Sequence, residues 1–401
     1  MNLDDLNRFK QLDPDNMLAH IDGLPDQIEA AWALGQTLPL PDLSGVTQIA
    51  LCGMGGSAIG GSLVQALVMN ACRVPITINR DYDLPAWAVG PHTLVIGASY
   101  SGGTEETLSA FKQAIERKTK LIAITTGGQI AELCRSAGGA VWTFEYKSQP
   151  RAVVGYSLAL PLALLTRAGF IVDKHAPSTR FASELALSLS KGQALSVAEG
   201  SADVADAVKA MRQQQNSLRA ESPVASNAAK RMAGQIMDRY PLIFGSGIMA
   251  PVARRWKGQI SENAKAWAQF EDLPEMNHNS VVGTANPESL ISKYMVLFLE
   301  SDFDHPRNKI RSEATRMLFM TAGFNTDVIK GIGATPLAQM LTALHYGDYV
   351  SYFLAMAYGV DPTPIGPIEA LKRRLADSML VSLTPPAPPS TAPPPCCSWE
   401  V

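Results

Sequence analysis

Between Ser99 and Thr107 the chain sets four aliphatic hydroxyls, at Ser99, Ser101, Thr104 and Thr107, around the pair Gly102-Gly103. Hydroxyls are adaptable hydrogen-bond donors, glycines let backbone N–H groups turn inward, and a helix starting near Glu105 adds unpaired N–H groups of its own. Such a loop suits a phosphate. A second glycine-rich loop, Gly53-Met-Gly-Gly-Ser-Ala-Ile-Gly-Gly61, also follows an apolar segment and also opens a helix, which places Gly55, Gly56 and Ser57 where donors are needed. Its Gly53-x-Gly55-x-x-Ala58 spacing matches the loose dinucleotide fingerprint, and Asp81 or Asp83 stands roughly where a ribose-binding acid would. Ser57 and the hydroxyls of the other loop favour one sugar phosphate over a pyrophosphate.

Three more side chains could do chemistry. Glu262 lies in Trp256-Lys-Gly-Gln-Ile-Ser-Glu-Asn-Ala-Lys265, a helical stretch dense in polar groups, and reads equally as a base or as a solvated surface carboxylate. His278, flanked by Asn277 and Asn279, has the composition of a loop rather than a core, and Glu275 just before it is the competing carboxylate. Arg151, following Pro150 at the end of a strand, could neutralise charge on a reacting oxygen or simply meet an acid. His20, His92, His175 and His305 form no constellation, and the acids and histidines repeat in no metal-ligating pattern. No metal and no cofactor are therefore expected.

The elements that must hold these groups follow from the apolar pattern. Short apolar runs at 46–52, 76–79, 94–98, 121–125 and 140–144 read as strands, with helices at 62–70, 108–116 and 157–165. This βαβ rhythm predicts an α/β fold, a mostly parallel sheet flanked by helices, with ligands at the carboxyl ends of the strands. The rhythm returns with strands at 240–245, 293–299 and 327–329, and helices at 249–269, 307–321, 336–358 and 368–380. Its loop at Ser246-Gly247 reads as a weaker anion site than the first. The opening segment to about Leu34 reads as one amphipathic helix. Residues 1–180 are thus expected to form one domain with a leading helix, 181–215 a helical connection, and 216–384 a second domain. From Pro385 onward seven of seventeen residues are proline, so 385–401 is expected to be extended or disordered.

Composition narrows the partners. At 401 residues, 46% hydrophobic and 18% charged, the chain can bury two cores, and a formal charge of −3 provides no basic field for nucleic acid. No run of 18 apolar residues and no signal-like start are present, so a cytoplasmic protein without membrane association is expected. The cysteines, at 52, 72, 134, 396 and 397, make neither a disulfide framework nor a zinc knuckle.

Taken together, Gly53–Gly61, Ser99–Thr107, Gln149–Tyr156, Trp256–Asn279, Gly347–Ala355 and Gly359–Pro364 resemble the bifunctional phosphoglucose/phosphomannose isomerases, a branch of the phosphoglucose isomerase superfamily. The joined Glu-Asn-Ala-Lys and Pro-Glu-x-Asn-His-Asn segments are the most specific part of the likeness. It implies two sugar isomerase (SIS) domains, each a flavodoxin-like three-layer sandwich. It also implies that hexose 6-phosphates are the substrates and that glucose 6-phosphate and mannose 6-phosphate each interconvert with fructose 6-phosphate. In that scheme Glu262 shuttles the proton between C1 and C2, Arg151 stabilises a cis-enediol, and Lys372 lies near the substrate. His278 helps to open the ring and is lent by the other subunit of a homodimer. Gly55, Gly56, Ser57, Ser99, Ser101, Thr104 and Thr107 hold the 6-phosphate. Ser280, where many relatives look to have glutamate, is a departure. An isomerase restricted to glucose 6-phosphate or to another sugar phosphate, and a non-catalytic SIS protein that only binds one, are the alternatives.

Overall fold

The computed structural model describes residues 2–171 and 197–382. The expected irregular stretch at 174–179, His175, the start of the helical connection and the proline-rich segment with Cys396 and Cys397 lie outside the described residues. No helix among the described residues is long and apolar enough to cross a membrane.

Among the described residues nine strands pair in parallel throughout, in two sheets. The first contains β1 (Gln48–Cys52), β2 (Ile76–Asn79), β3 (Thr93–Ala98), β4 (Lys120–Thr125) and β5 (Ala140–Thr143), in the order β2-β1-β3-β4-β5. The second contains β6 (Tyr240–Ser246), β7 (Gln269–Leu273), β8 (Tyr294–Glu300) and β9 (Asn325–Lys330), in the order β7-β6-β8-β9. With β6 set on β1, the second order repeats the first without its last strand.

The pleat shows why these runs are strands. Ile49 and Leu51 enter one apolar cluster, while Ala50 and Cys52, pointing the other way, enter a second. Burial on both faces explains their continuous rather than alternating hydrophobicity. Helices α1 (Leu6–Leu12), α2 (Met17–Asp22) and α3 (Leu24–Thr37) replace the single opening helix expected from the sequence. Asp13 breaks the run: its carboxylate accepts from the Met17 and Leu18 backbone N–H groups and so caps α2. Around the first sheet stand α4 (Gly55–Val68), α5 (Glu105–Glu116), α6 (Gly128–Ser136) and α7 (Val154–Arg167). The sequence reading omitted α6 and began α4 seven residues late, because glycine and serine hide helical spacing.

After α8 (Val197–Leu218) and α9 (Ala228–Ile236), the second sheet is flanked by α10 (Ala250–Ala264), the single turn α11 (Glu288–Ile291), α12 (Pro306–Thr321) and α13 (Pro336–Tyr358). The helix expected to run through Gln269 ends instead at Ala264, where Lys265 takes a left-handed conformation (φ 56°), and Gln269 starts β7. Every residue of α13 from Leu337 to Ala357 is buried, which explains the lack of a polar face in its sequence. It packs against α8, α9 and α10, and one apolar cluster extends from the first sheet through α7, α8 and α13 to the second. Residues up to Thr363 form one compact unit. The following unit contains α14 (Gly366–Ser382), whose side chains from Glu369 to Asp377 are exposed.

Candidate active site

Arg151 sits in a 3-10 turn, Pro150–Val153, that leads into α7. The turn lies directly on the first turn of α4: a Cβ at Gly56 would come within 2.5 Å of the Pro150 carbonyl oxygen, so no larger residue fits there. The Arg151 side chain is only 3% exposed and reaches across to the second sheet's elements. Its Nε donates to Asn263 Oδ1 at 2.7 Å, and Nη2 donates to the carbonyls of Pro362 and Thr363 at 2.7 and 2.8 Å. Nη1 faces the Glu262 carboxylate at 3.4 Å. Burial pulls this guanidinium below its ordinary value, and Glu262 opposes that pull. It remains a cation at any ordinary pH.

Each partner of Arg151 is itself held. Asn263 is buried and donates from Nδ2 to Ser351 Oγ at 2.9 Å, which fixes the amide with its oxygen toward the arginine. Arg255 donates to the Arg151 carbonyl at 3.1 Å and forms a buried two-point pair with Asp348, at 3.1 and 2.7 Å. At the end of α10, Lys265 Nζ donates to the carbonyls of Glu262 (2.6 Å) and Pro362 (3.0 Å). Last-turn carbonyls have no partner inside a helix, so this lysine closes the turn that carries Glu262. Burial, with Arg151 close by, brings the Lys265 amine down to about 8.

Glu262, at 31% side-chain exposure, is accessible where Arg151, Arg255, Asp348 and Asn263 are buried. It borders a cavity of about 270 Å³ that is also lined by Gly55, Gly56, Arg80, Arg151, Arg254 and Lys257. The fold therefore brings Glu262, in the last turn of α10, together with Arg151, Gly55 and Gly56, which follow strands of the first sheet at their carboxyl ends. A carboxylate beside a fixed cation, at the edge of a polar cavity, can move a proton next to a carbonyl whose oxygen is becoming negative.

The hydroxyl loop runs from β3 into α5, beside the glycine loop, because β1 and β3 are neighbours (Cys52 opposite Gly97). Ser57, Ser99 and Thr107 are buried, Thr104 is half-buried and Ser101 is exposed. The hydroxyls of Ser99 and Thr104 lie 2.9 Å apart, and the Gly103 N–H donates to Ser101 Oγ at 3.3 Å. Thr107 Oγ1 is buried with no hydrogen-bond partner among the described residues, and neither α4 nor α5 has a side-chain cap. Donors are thus left over at both helix starts. These hydroxyls are not on the lining of the cavity that Glu262 borders.

His278 is exposed, at the end of the 3-10 turn Glu275–His278, and it is not on that lining either. Glu275, the competing carboxylate, instead accepts from Asn279 Nδ2 at 3.0 Å and stays within its own loop. Lys372 is an exposed residue of α14, in the other compact unit. The supporting residues Arg255, Asp348, Asn263 and Ser351 were not singled out from the sequence. Asp348 carried the signal, since an acid inside a strongly apolar helix requires a buried partner.

A family model described as the bacterial phospho-glucose isomerase C-terminal SIS domain matches residues 225–375. The chain is 37% identical over 365 residues to a bifunctional phosphoglucose/phosphomannose isomerase of Caldicellulosiruptor bescii, covering 90% of this chain and 99% of that one. It is 35% identical over 335 residues to the protein of the same name from Aquifex aeolicus, covering 83% of this chain and 92% of the relative. Among solved structures, a hypothetical protein from Thermus thermophilus superposes with a TM-score of 0.67 over 92% of both chains, and at 15% identity this speaks for the fold alone. With the tandem parallel sheets in place and relatives matched over nearly their whole length, the chain belongs to the bifunctional phosphoglucose/phosphomannose isomerase family.

Proposed function

We propose that the chain is an aldose–ketose isomerase that interconverts glucose 6-phosphate and mannose 6-phosphate with fructose 6-phosphate by proton transfer through a cis-enediol. The observation that carries this is the Glu262 carboxylate, accessible from the cavity and 3.4 Å from a buried arginine. Glu262 takes the proton from C2 of the aldose and returns it to C1. Arg151, whose side chain cannot move without breaking three other hydrogen bonds, stabilises the enediol oxygen as charge develops. The 6-phosphate is held by Ser57, Ser99, Ser101, Thr104 and Thr107 with the N–H groups at Gly55 and Gly56. The unpartnered Thr107 hydroxyl supports this assignment.

His278 serves ring opening from a second subunit, as the exposure of its loop and its place off the cavity lining favour. The working enzyme is then a cytoplasmic homodimer with shared sites. Lys372 is assigned near the substrate through the family likeness. Glucose and mannose 6-phosphates differ only at C2, so one base serves both if the enediol can turn about C2–C3 before the proton returns. Assaying the purified protein on each hexose 6-phosphate separately tests the reading. Comparable kcat/KM for both aldoses supports it, turnover of glucose 6-phosphate alone restricts it, and ligand binding without turnover refutes it.

A further inference from the structure

The cavity beside Glu262 is lined by Arg80, Arg151, Arg254, Arg255 and Lys257, and by Glu262 as its carboxylate. Two of these cations are answered, Arg151 by Glu262 and Arg255 by Asp348. Arg80, Arg254 and Lys257 are in no ion pair among the described residues. Asp272 on β7 feels the charge of Arg254 without pairing with it.

The two unpaired arginines are nevertheless held in place. Arg80, which follows β2, donates to the Ala58 carbonyl at 3.3 Å and to the Ser62 hydroxyl, both on α4. Arg254 lies over the Phe270 ring at 5.3 Å. Arg254 and Lys257 are three residues apart on α10 and so share a face. Burial chiefly, and to a lesser extent the charge of the exposed Arg254, bring Arg80 down to about 10. Neither guanidinium has spent all its donors on the protein. Fixed, mutually repelling cations facing a cavity are a site for an anion, whose arrival removes the repulsion and supplies the missing acceptors.

We propose that Arg80, Arg254 and Lys257 form a second anion subsite in the Glu262 cavity, separate from the hydroxyl loop, and that its ligand is a sugar with phosphates at both ends. The inference rests on the functional reading above. A hexose bound by its 6-phosphate at the loop and reacting at C1–C2 beside Glu262 directs any group on O1 toward these cations. A ketose 1,6-bisphosphate, with O1 esterified, cannot become an aldehyde at C1, so it occupies the site without isomerising and acts as a competitive inhibitor.

The test is calorimetric binding of inorganic phosphate, fructose 6-phosphate and fructose 1,6-bisphosphate, together with inhibition by the bisphosphate. The proteins are the unmodified chain, Arg80→Gln/Arg254→Gln and Lys257→Gln. In the unmodified protein the bisphosphate binds at least about tenfold more tightly than the monophosphate, as one charge-assisted contact provides. The double variant loses roughly tenfold to hundredfold on the bisphosphate, while its KM for fructose 6-phosphate changes by less than about threefold, which also shows that it has folded. Lys257→Gln loses a smaller part. A bisphosphate that binds no more tightly than the monophosphate, or that binds both variants unchanged, overturns the subsite. If fructose 6-phosphate is neither bound nor turned over, the functional reading falls instead; bisphosphate affinity that still depends on Arg80 and Arg254 would then uphold the anion subsite alone.

Discussion

The two sheets enter their first helices by nearly the same backbone path but answer the donors there differently. After β1, Met54 (φ −124°, ψ 160°) is followed by Gly55 at φ 50°; at the end of β6, Ser246 (φ −127°, ψ 157°) is followed by Gly247, also at φ 50°. The neighbouring loops correspond as well, because β8 lies beside β6 as β3 lies beside β1. In the first sheet that neighbour is the hydroxyl loop, with a free Thr107 hydroxyl. In the second it is Ser301-Asp-Phe-Asp-His305, and the chain supplies its own anion there: Asp304 accepts from Ser246 Oγ at 3.0 Å and from the Ser301 N–H at 2.8 Å. Burial raises this carboxyl above its ordinary value, and those two hydrogen bonds work to lower it.

A larger hollow, about 400 Å³, opens along β8 and β9, but Glu300, Asp302 and Glu313 there balance Lys309, Arg316 and Lys330. The cavity at Glu262 has an excess of cations. Hence a shared backbone does not make a shared site. What separates them is whether the donors are already answered from within, and this is why the second sheet's loop is a weaker candidate for binding phosphate.

The comparison breaks most visibly if hydroxyls are removed from each loop in turn. Thr104→Val/Thr107→Val should raise KM for a hexose 6-phosphate roughly tenfold to hundredfold, whereas Ser246→Ala should leave it within about threefold. Steady-state kinetics on both proteins decide this, and equal effects would erase the distinction. The single change Thr107→Val sharpens it further: removing a buried hydroxyl that has no partner should leave urea stability unchanged or slightly higher while KM rises.

Next in size is Asp304→Asn, which leaves donors at Ser246 and Ser301 poorly answered and should cost about 1–3 kcal/mol in urea denaturation with kcat and KM unaltered. A kinetic defect in that variant would mean the second loop takes part in the reaction. The smallest effect concerns Lys265. With an amine near 8 and an ordinary value of 10.5, the folded chain loses this proton before the unfolded chain does. From pH 8 to 10.5 this group alone therefore makes stability rise with pH, so an activity loss there is not unfolding caused by Lys265. Without its charge the clamp on the Glu262 turn weakens. The expected result is a fall in kcat/KM of a few fold above about pH 8 that moves to higher pH in Lys265→Arg. A limb at the same pH in both proteins would remove Lys265 from the account.

Much of this was legible before any coordinates. The strands Ile76–Asn79 and Thr93–Ala98, the second read one residue short, the helix Pro336–Tyr358 and the glycine-containing turns into α4 and α5 follow from apolar runs and glycine placement. The missed elements share a cause. Local pattern could not separate α1, α2 and α3, where an Asp13 cap interrupts a continuous spacing, nor find β7, whose residues Gln269–Leu273 are strand-like only because β6 pairs with them. At the site, Arg151 and Glu262 were each singled out from the sequence, and the fold brings them into contact across 111 positions. The residues that immobilise them, Arg255 with Asp348 and Asn263 with Ser351, join distant helices, so only the packed fold reveals them. His278 shows the converse case: its loop was legible, and the fold leaves it exposed and off the lining of the Glu262 cavity.

The central claim is that the carboxylate of Glu262, poised against Arg151, carries the substrate proton. Glu262→Gln keeps the shape and removes the base, so it should lower kcat for both aldoses by about 10²–10⁴-fold, with fructose 6-phosphate still bound and no solvent deuterium entering C1 of the ketose. Wild-type rates of turnover and deuterium exchange in that variant would contradict it.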